Sequence, residues 1–442
     1  MADVLVVGGG LAGCEAAWQL AERGHAVTLR EMRPVRSTPA HQTDSLAELV
    51  CTNSFKSEDL ANAHGLLKAE MRDLGSILLQ AADSARVPAG QALAVDRDLF
   101  ARAMTDRIGQ HHNITVERAE TVALPPGPAI IATGPLTSDA LTRAIAALLG
   151  DEGLAFYDSI APIVSRESID TSIAFYASRW GKGGEEDYLN CPMTREQYDA
   201  FIAALRTADV YPGHDWEDIP YFEGCLPIEV MAERGPDTLR FGPMKPVGLR
   251  DPHTGRRPWA VVQLRREDRT GQMWNLVGFQ TRLRTGEQRR VFRMIPGLER
   301  AEFLRTGSIH RNTYLNFPAK LNPYGATHVR PDIIFAGQLT GVEGYTESAA
   351  SGILAGINMD RILTGLEPVL PPATTMLGAL MHYLHTAEPG RFQPMNSNLG
   401  LLAPLAEHVR DKAARRERMV QRAREVFTGW IEAEIAHAGS RS

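Results

Sequence analysis

The clearest indication of the fold class is the segment VLVVGGGLAGCEAAWQLAERGHAVTLRE, residues 4–31. Its first four residues form a short apolar run of the kind found in buried strands, and six residues of the pattern G-x-G-x-x-G follow. A segment of helical composition then runs to Gly24, and AVTLRE predicts a second strand that ends at Glu31. Strand, glycine turn, helix and strand in this order predict a Rossmann-like dinucleotide-binding unit.

Each glycine of the turn has its own physical role. Gly8 allows the tight turn, Gly10 lets the backbone approach a pyrophosphate, and Gly13 lets the helix pack closely on the strand. The amide groups at the start of the helix then favour an anion. Glu31 lies where a carboxylate can bind a ribose hydroxyl. The predicted cofactor-binding residues of this unit are Gly8, Gly9, Gly10, Leu11, Ala12, Gly13 and Glu31.

Two later segments indicate which dinucleotide is bound. PAIIATG (128–134) predicts a strand that ends in Thr133 and Gly134, and PDIIFAGQLTGVEGYTESAASG (331–352) predicts a strand, a glycine-rich turn and a helix of small residues. The pattern resembles flavoproteins of the two-dinucleotide-fold type, which implies FAD, whereas a nicotinamide-only or S-adenosylmethionine site leaves both segments unexplained. Candidate flavin-binding residues are Gly337, Gln338, Glu343 and Gly344, with Gln338 where many such proteins have Asp. A helix-capping role is the alternative for Glu343.

We therefore predict an α/β protein with a discontinuous FAD-binding domain formed by residues 1–160 and 325–370. An α+β insertion domain, residues 161–324, interrupts it and carries the β-rich runs SIAFYAS, WAVVQL and MWNLVGF. The remaining segment, 371–442, is predicted to be mostly helical.

Composition limits the class of protein. The chain of 442 residues is 44% apolar and has no uninterrupted apolar run long enough to span a membrane. The N-terminus shows no features of a secretory signal, so we expect a cytoplasmic protein.

Charge is unevenly distributed along the chain. The net charge is −6, yet residues 250–311 contain 14 Lys or Arg and 6 Asp or Glu. This basic run, with a second one at 410–425, predicts a surface that binds RNA phosphates, and a solvated helix face is the alternative, which we favour for the second run.

The four cysteines, Cys14, Cys51, Cys191 and Cys225, form no C-x-x-C pair, so we predict free thiols and no metal site. Cys14 follows the glycine turn and is expected to be a packing residue. Cys191 precedes Pro192 in a predicted loop, and we assign it no role.

Several whole phrases match one family. They are CTNSFKS (51–57), FEGCLPIEVMAERGPDTLRFGPMKPVGL (222–249), HRNTYLN (310–316), FAGQLTGVEGYTESAASG (335–352) and FQPMNSNLGL (392–401). The chain closely resembles the folate- and FAD-dependent tRNA (uracil-5-)-methyltransferases over nearly its whole length. The second family that it resembles comprises the flavoproteins that install carboxymethylaminomethyl groups on tRNA uridine.

The resemblance implies an enzyme that makes ribothymidine in the T-loop of tRNA. The carbon is expected to come from methylenetetrahydrofolate, with FAD as relay and reductant and with NADH or NADPH as the source of electrons. Because the chain has no second complete nucleotide fingerprint, we expect the nicotinamide to visit the flavin transiently. The sequence does not decide between NADH and NADPH, between tRNA and ribosomal RNA as acceptor, or the oligomeric state.

The chemistry of uracil requires one activated nucleophile and one base. Carbon 5 is a poor nucleophile, and addition of a thiolate to carbon 6 turns it into an enolate carbon. We predict that Cys225 is this nucleophile. The family implies that Cys51 lies near the flavin and takes part in catalysis, and its role as nucleophile, base or shield of an intermediate stays open.

Three further residues could assist. Arg234 and Lys245 are close in sequence to Cys225, and a nearby cation favours the thiolate. Lys245, between Pro243 and Pro246, could instead hold the glutamate tail of the folate or lie in a plain surface turn. His310 could stack on a pterin or flavin ring, and a structural histidine is the equal alternative.

Two other classes of function remain. The first is a flavin- and NADH-dependent oxidoreductase that acts on RNA or on a small molecule without methyl transfer. The second is a non-enzymatic RNA-binding protein that keeps flavin as a structural element.

Overall fold

The computed structural model describes residues 2–38, 40–150, 154–184, 186–211, 226–407 and 409–436, with the side chains of 154–158, 309–311 and 436 outside that description. The strands in chain order are β1 (Asp3–Val7), β2 (Ala26–Glu31), β3 (Ser54–Ser57), β4 (Arg86–Val87), β5 (Ala92–Val95), β6 (Ile114–Arg118), β7 (Ala129–Ile131), β8 (Leu154–Ile160), β9 (Ile163–Ser165), β10 (Phe175–Tyr176), β11 (Tyr188–Met193), β12 (Ala260–Arg266), β13 (Met273–Leu276), β14 (Phe303–Arg305), β15 (Ser308–Tyr314) and β16 (Ile333–Phe335).

The helices lie between these strands and after the last of them. In chain order they are α1 (Leu11–Glu22), α2 (Ala63–Asp73), α3 (Ile77–Ser84), α4 (Arg97–Gln110), α5 (Asp139–Leu149), α6 (Arg195–Arg206), α7 (Ile228–Glu233), α8 (Thr238–Phe241), α9 (Thr285–Phe292), α10 (Phe317–Lys320), α11 (Tyr345–Leu363), α12 (Met376–Thr386) and α13 (Lys412–Trp430).

The described residues form two large hydrophobic cores. A parallel five-stranded sheet of order β16-β7-β1-β2-β6 lies at the centre of the first core. Its central strands are short apolar runs, as expected for strands buried on both faces. The last strand, β16, joins the sheet beside β7, with Ile333 opposite Ala129. This sheet confirms the predicted α/β class and its Rossmann-like unit.

Two helices pack against each other at very short range on this sheet. A Cβ atom added at Gly352 of α11 would lie 2.2 Å from the carbonyl oxygen of Ala12 in α1, and one at Gly356 would lie 2.8 Å from that of Ala16. Small residues at these positions therefore let the two backbones approach, and nearly all of α11 is buried. The glycine turn and the late turn before α11 are brought together by this contact.

A second, antiparallel sheet has the order β10-β11-β12-β13-β9-β14. Its core is formed by large buried side chains that include Trp274, Phe201, Phe279 and Phe292. The three runs predicted as β-rich contribute β10, β12 and β13. β10 and β13 are shorter than their runs, whereas β12 begins one residue inside its run and extends two residues beyond it. A two-stranded ribbon of β8 and β15 leads into and out of this sheet, and the residue boundaries of the domains stay a prediction.

The expectation that Cys191 lies in a loop is wrong. Cys191 is a fully buried residue of β11, where it pairs with Val262, and Pro192 follows it in the same strand opposite Val261. β10 pairs only with Leu189 and Asn190, so Pro192 has no neighbouring strand on that side that would need its missing N–H group.

The segment after α11 is helical, as predicted. Helix α13 packs its buried residues Ala423, Phe427 and Trp430 into the first core. Its N-terminal half is exposed and basic. Arg424 forms an ion pair with Asp73 of α2, and Arg418 pairs with Glu407 at 3.0 Å.

Candidate active site

The glycine turn has the geometry that its sequence predicts. Gly8 has a φ of +105°, and a Cβ atom there would lie 2.5 Å from the carbonyl oxygen of Ala132, the residue directly after β7. A Cβ atom at Gly13 would lie 1.8 Å from the carbonyl oxygen of Gly8, so this glycine is required for packing. A Cβ atom at Gly10 would meet no atom within 4 Å. The turn is therefore closed at Gly8 and Gly13 and open at Gly10.

Glu31 is buried beside this turn. Its Oε2 accepts a hydrogen bond from the Gly9 amide at 2.8 Å, and its Oε1 accepts from Nε of Arg33 at 2.9 Å. Burial alone would raise the pKa of Glu31, but the Arg33 guanidinium and these hydrogen bonds hold it below its usual value. The carboxylate is thus ionised and fixed in place, and it keeps acceptor capacity for a further donor such as a ribose hydroxyl.

No sequence pattern indicates the partners of Glu31. Arg33 is 3% exposed and also donates to Glu48 at 3.0 Å. A buried arginine is unexpected two residues after a strand, and its ion pairs with the two glutamates and its hydrogen bond to the carbonyl oxygen of Thr43 account for its burial.

A large cavity joins the three predicted nucleotide-binding segments. It encloses about 1040 Å³, including the solvent at its mouth. Its lining includes the predicted residues Gly8, Gly10, Leu11, Ala12, Glu31, Thr133, Gly134, Gly337 and Gln338, together with Val50, Tyr345 and Ser348. A concave site lined by residues of all three segments is a candidate ligand-binding site.

The late glycine-rich turn forms one wall of this cavity. Gly337 has a φ of +78°, and a Cβ atom there would lie 2.9 Å from the Ala12 side chain. Gln338 donates to the buried carboxylate of Glu343 at 2.7 Å. Helix α11 starts at Tyr345 with Gly344 as its N-cap, so Glu343 orients Gln338 from outside the helix. Two helix N-termini, those of α1 and α11, thus contribute residues to one cavity.

Cys51 lies at the edge of this cavity, next to Val50. Its half-buried sulfur is 3.1 Å from Oη of Tyr345. The same phenol oxygen accepts from the Cys51 amide at 2.9 Å and from the Thr52 amide at 3.3 Å. Burial raises the pKa of Tyr345 well above its usual value, so the phenol stays protonated at neutral pH.

Arginine side chains from other elements contact residues 49–53, the Cys51 loop. Arg97 of α4 donates to the carbonyl oxygens of Leu49 at 2.6 Å and Cys51 at 3.4 Å, and its Nε lies 2.6 Å from Oε2 of Glu267. Arg265 of β12 donates to Oγ1 of Thr52 at 2.8 Å. These contacts tie the thiol to the second sheet, and neither arginine is predicted from the sequence as a site residue.

Residues 3–367 match the family model described as glucose inhibited division protein A. The chain is 54% identical over 430 residues to methylenetetrahydrofolate--tRNA-(uracil-5-)-methyltransferase TrmFO of Anoxybacillus flavithermus, covering 97% of this chain and 99% of the relative. It is 56% identical over 429 residues to the protein of the same name from Geobacter sulfurreducens, covering 97% and 98%. The chain belongs to the TrmFO family.

A solved structure agrees with the fold of this TrmFO-family chain. The structure of Aquifex aeolicus GidA superimposes with a TM-score of 0.70 at 17% sequence identity, over 97% of this chain and 73% of that protein. At this identity the likeness concerns the fold alone. It supports the Rossmann-like architecture predicted from the three glycine-containing segments.

The predicted thiols of the TrmFO-family chain divide into two groups. Cys14 is fully buried and its sulfur donates to the carbonyl oxygen of Gly9 at 3.5 Å, which confirms a packing role. Burial raises the pKa of both Cys14 and Cys191 far above the usual value, so neither is a reactive thiolate. Cys225 lies outside the described residues, since the description resumes at Leu226.

Three further predicted residues lie outside the Cys51 loop. Lys245 is exposed, and its amide donates to the carbonyl oxygen of Gly242 at 3.3 Å. Arg234 is the C-terminal cap of α7. His310 lies in β15 opposite Asp158, and its side chain is outside the described set. The assigned roles of these residues stay predictions.

The basic run from 250 to 311 does not form one uniform surface. Arg256 and Arg257 are exposed, and Arg290 is exposed but pairs with Glu287 at 2.5 Å. Arg265 is 7% exposed and points to the Cys51 loop. Sequence charge alone therefore mixes surface arginines with one that belongs to the candidate site.

Two features are absent from the described residues. None of the helices among them is long and apolar enough to cross a membrane. Within the same residues, no cluster of three or more His, Cys, Asp or Glu side chains is arranged to hold a metal ion.

Proposed function

We propose that this TrmFO-family chain is a methyltransferase that methylates carbon 5 of a uridine in tRNA and takes the carbon from methylenetetrahydrofolate. The observation that carries this proposal is the 54–56% identity, over nearly the full length of both chains, to relatives that bear this activity in their name. The half-buried Cys51 at the edge of the nucleotide-type cavity supports it, because uracil chemistry of this kind needs a thiol close to the cofactor.

FAD is the cofactor that we propose for the cavity, and the residues present fit it. The open cradle at Gly10 and the start of α1 suit the pyrophosphate, and Glu31 suits the adenosine ribose. Gly337, Gln338 and the start of α11 suit the flavin end. When bound, FAD supplies the one-carbon relay and the reducing electrons, with NADH or NADPH as their proposed source.

The thiols of the chain carry the proposed chemistry on uracil. The sulfur of Cys225 adds to carbon 6, which makes carbon 5 nucleophilic so that it can accept the one-carbon unit. A base then removes the proton from carbon 5, the methylene carbon is reduced to a methyl group with the two electrons that reduced FAD would supply, and the bond between sulfur and carbon 6 breaks to restore the ring. Cys51, held by Tyr345, assists this sequence at the flavin end. The acceptor that we propose is the T-loop uridine that becomes ribothymidine, which places the enzyme in the cytoplasm with its tRNA.

Product analysis tests the overall reaction. The purified protein should convert uridine to 5-methyluridine in a tRNA transcript when methylenetetrahydrofolate and a nicotinamide reductant are supplied, and omission of the folate should abolish the product. Methylation supported by S-adenosylmethionine, or a carboxymethylaminomethyl product, would contradict the proposal.

Trapping with 5-fluorouridine tests the roles of the two thiols. Fluorine cannot leave carbon 5 as a proton does, so a tRNA that carries it should become covalently attached to Cys225. Cys225→Ala should bind RNA and keep FAD without forming this adduct, whereas Cys51→Ala should keep FAD and lose turnover. An adduct located on Cys51 by mass spectrometry, together with trapping by Cys225→Ala, would reverse the two roles.

A further inference from the structure

The hydrogen bonds around Cys51 fix the direction of one proton. The phenol oxygen of Tyr345 accepts two amide hydrogen bonds, from Cys51 and from Thr52. A phenol has two acceptor lone pairs and a single donor proton. Since the amides occupy the acceptor side, the Tyr345 proton is left to point at the sulfur 3.1 Å away. The sulfur of Cys51 is therefore the acceptor in this contact, and a hydrogen bond donated to sulfur stabilises the thiolate more than the neutral thiol.

Positive charge reinforces this arrangement. Arg97 donates to the carbonyl oxygens on both sides of Val50, at Leu49 and Cys51, so its guanidinium is held against the Cys51 loop. Burial alone would lower the pKa of Arg97, but the Glu267 carboxylate raises it above its usual value, which keeps the guanidinium charged. Arg265 and Arg305 also interact electrostatically with Cys51. The charged or titratable groups that face the thiol from neighbouring described elements are Tyr345, Arg97, Arg265, Glu267 and Arg305.

Arg305 differs from the other two arginines. It lies half-buried at the end of β14, and within the described part of the chain its side chain forms no hydrogen bond or ion pair. Burial lowers the pKa of Arg305, and the neighbouring Arg97 lowers it further because the two cations repel each other. A thiolate at Cys51 offsets that repulsion, and a neutral thiol would not.

We propose that Tyr345 and Arg97 are positioning residues that hold Cys51 as a thiolate at neutral pH, with Arg265 and Arg305 contributing positive charge. A free thiol with its usual pKa of about 8.5 is only a few per cent ionised at neutral pH, and nearby cations lower that value by one or more units. The thiol next to the cavity is thereby ready to accept a proton or to attack before any substrate arrives. This inference deepens the proposed function of the same site but does not require that methylation be detected.

The test measures the thiol directly in the full-length protein as purified with its flavin. The rate of alkylation by iodoacetamide is followed at Cys51 by peptide mass spectrometry from pH 5 to 10, and its midpoint reports the ionisation of the thiol. We expect a wild-type midpoint clearly below about 8.5. Tyr345→Phe removes the hydroxyl donor but keeps the aromatic ring, whose centroid lies 5.9 Å from that of Phe55. This variant should raise the midpoint by about one pH unit.

Two charge variants give shifts of opposite sign. Arg97→Gln should raise the midpoint, because it removes a cation beside the thiol. Glu267→Gln should lower it, because it removes the carboxylate that counters Arg97. Tyr383→Phe and Arg107→Gln, which bond to Gln393 and Gln80 far from the thiol, are the matched controls and should leave the midpoint unchanged.

The outcomes decide the proposal. A wild-type midpoint at the ordinary value, or identical midpoints in the wild type and Tyr345→Phe, would overturn it. If Tyr345→Phe shifts the alkylation midpoint but Arg97→Gln and Glu267→Gln do not shift it in opposite directions, the role of the phenol hydrogen bond stands and the role of charge is refuted. Shifted midpoints in a protein that does not methylate uridine would refute the proposed function while the thiolate inference stands.

Discussion

Arg265 on the second sheet donates from Nε to Oδ1 of Asn53, 3.0 Å away, and so joins the two cores of the molecule beside Cys51. Asn53 is fully buried, and its amide nitrogen donates to the carbonyl oxygens of Val95 and Arg266, both at 2.9 Å. One side chain thus connects β5, β12 and the Cys51 loop.

We expect Asn53→Ala to destabilise the protein by about 2–4 kcal/mol, because it leaves the buried guanidinium of Arg265 without one of its acceptors. Urea unfolding measures this destabilisation. Asn62→Ala, which removes only the N-cap of α2, is the control and should cost about 1 kcal/mol. Equal effects in the two variants would show that Asn53 is an ordinary polar residue.

Two glycines of the turn should fail in different ways when replaced. Gly10→Leu places its side chain in open space on a backbone with φ −78°, so the flavin-free protein should keep its stability while FAD absorbance disappears. Gly13→Ala forces a contact with the Gly8 carbonyl and should destabilise the protein by about 1–3 kcal/mol. Visible absorbance and thermal unfolding separate the two effects. Full flavin absorbance in Gly10→Leu would contradict the pyrophosphate site.

The exposed arginines predict a specific salt dependence of RNA binding. Replacement of both Arg256 and Arg257 by Gln should flatten the log–log slope of affinity against salt by about 0.7–0.9 for each RNA phosphate that the variant no longer neutralises, without loss of flavin. The same change at Arg289 and Arg290 should have a smaller effect, because Arg290 already pairs with Glu287. If neither pair changes the slope, the basic run is a solvated surface.

A buried carboxyl group predicts how stability changes with pH. Glu70 is fully buried and accepts the amide hydrogens of Met376 and Leu377 at the start of α12, and burial raises its pKa to about 8. The folded state therefore holds a proton that the unfolded state has already released above about pH 4.3. Stability from this group is fully present below that pH and is lost as the pH rises through about 8.

Glu70→Gln tests this linkage. The variant cannot ionise, so its stability should fall less steeply than that of the wild type between pH 5 and 8, by up to about 1.4 kcal/mol per pH unit. Urea unfolding at several pH values gives the slopes. Glu117→Gln, at a surface carboxylate paired with Arg30, is the control and should follow the wild type. Parallel slopes for Glu70→Gln and the wild type would refute the proton uptake.

The parts of the site that sequence can predict depend on local chain geometry. The tight turn at Gly8 and the close packing at Gly13 follow from contacts within one turn and its neighbouring strand, and the structure reproduces both. The pyrophosphate contact at Gly10 stays a prediction. The segment YTESAASG is recognisable by its small residues, yet nothing in it assigns a role to Tyr345. The contact of Tyr345 with Cys51 joins residues 294 positions apart, and no local pattern encodes such a pair.

Arg265 shows a second limit of sequence reasoning. As one of fourteen basic residues in the run 250–311, it counts toward a phosphate-binding surface. In the structure the alternation of β12 turns it inward, to Thr52 and Asn53. The composition of a segment gives the charge that it carries, whereas the alternation of side chains along the strand determines which face of the sheet each charge lies on.

The order of the parallel sheet has a consequence for synthesis of the chain on the ribosome. Strand β16 is placed beside β7 although about 200 residues separate them, and Gly337 and Gln338 follow directly after β16. At 5–20 residues per second, β7 waits roughly 10–40 s for this partner. We expect nascent chains arrested before residue 333 to bind no flavin and full-length chains to bind it. Flavin fluorescence, measured on stalled ribosome complexes and on the released full-length protein, tests this expectation. Cofactor binding is then a late step in the synthesis of the protein, because it can begin only after about three-quarters of the chain has been made.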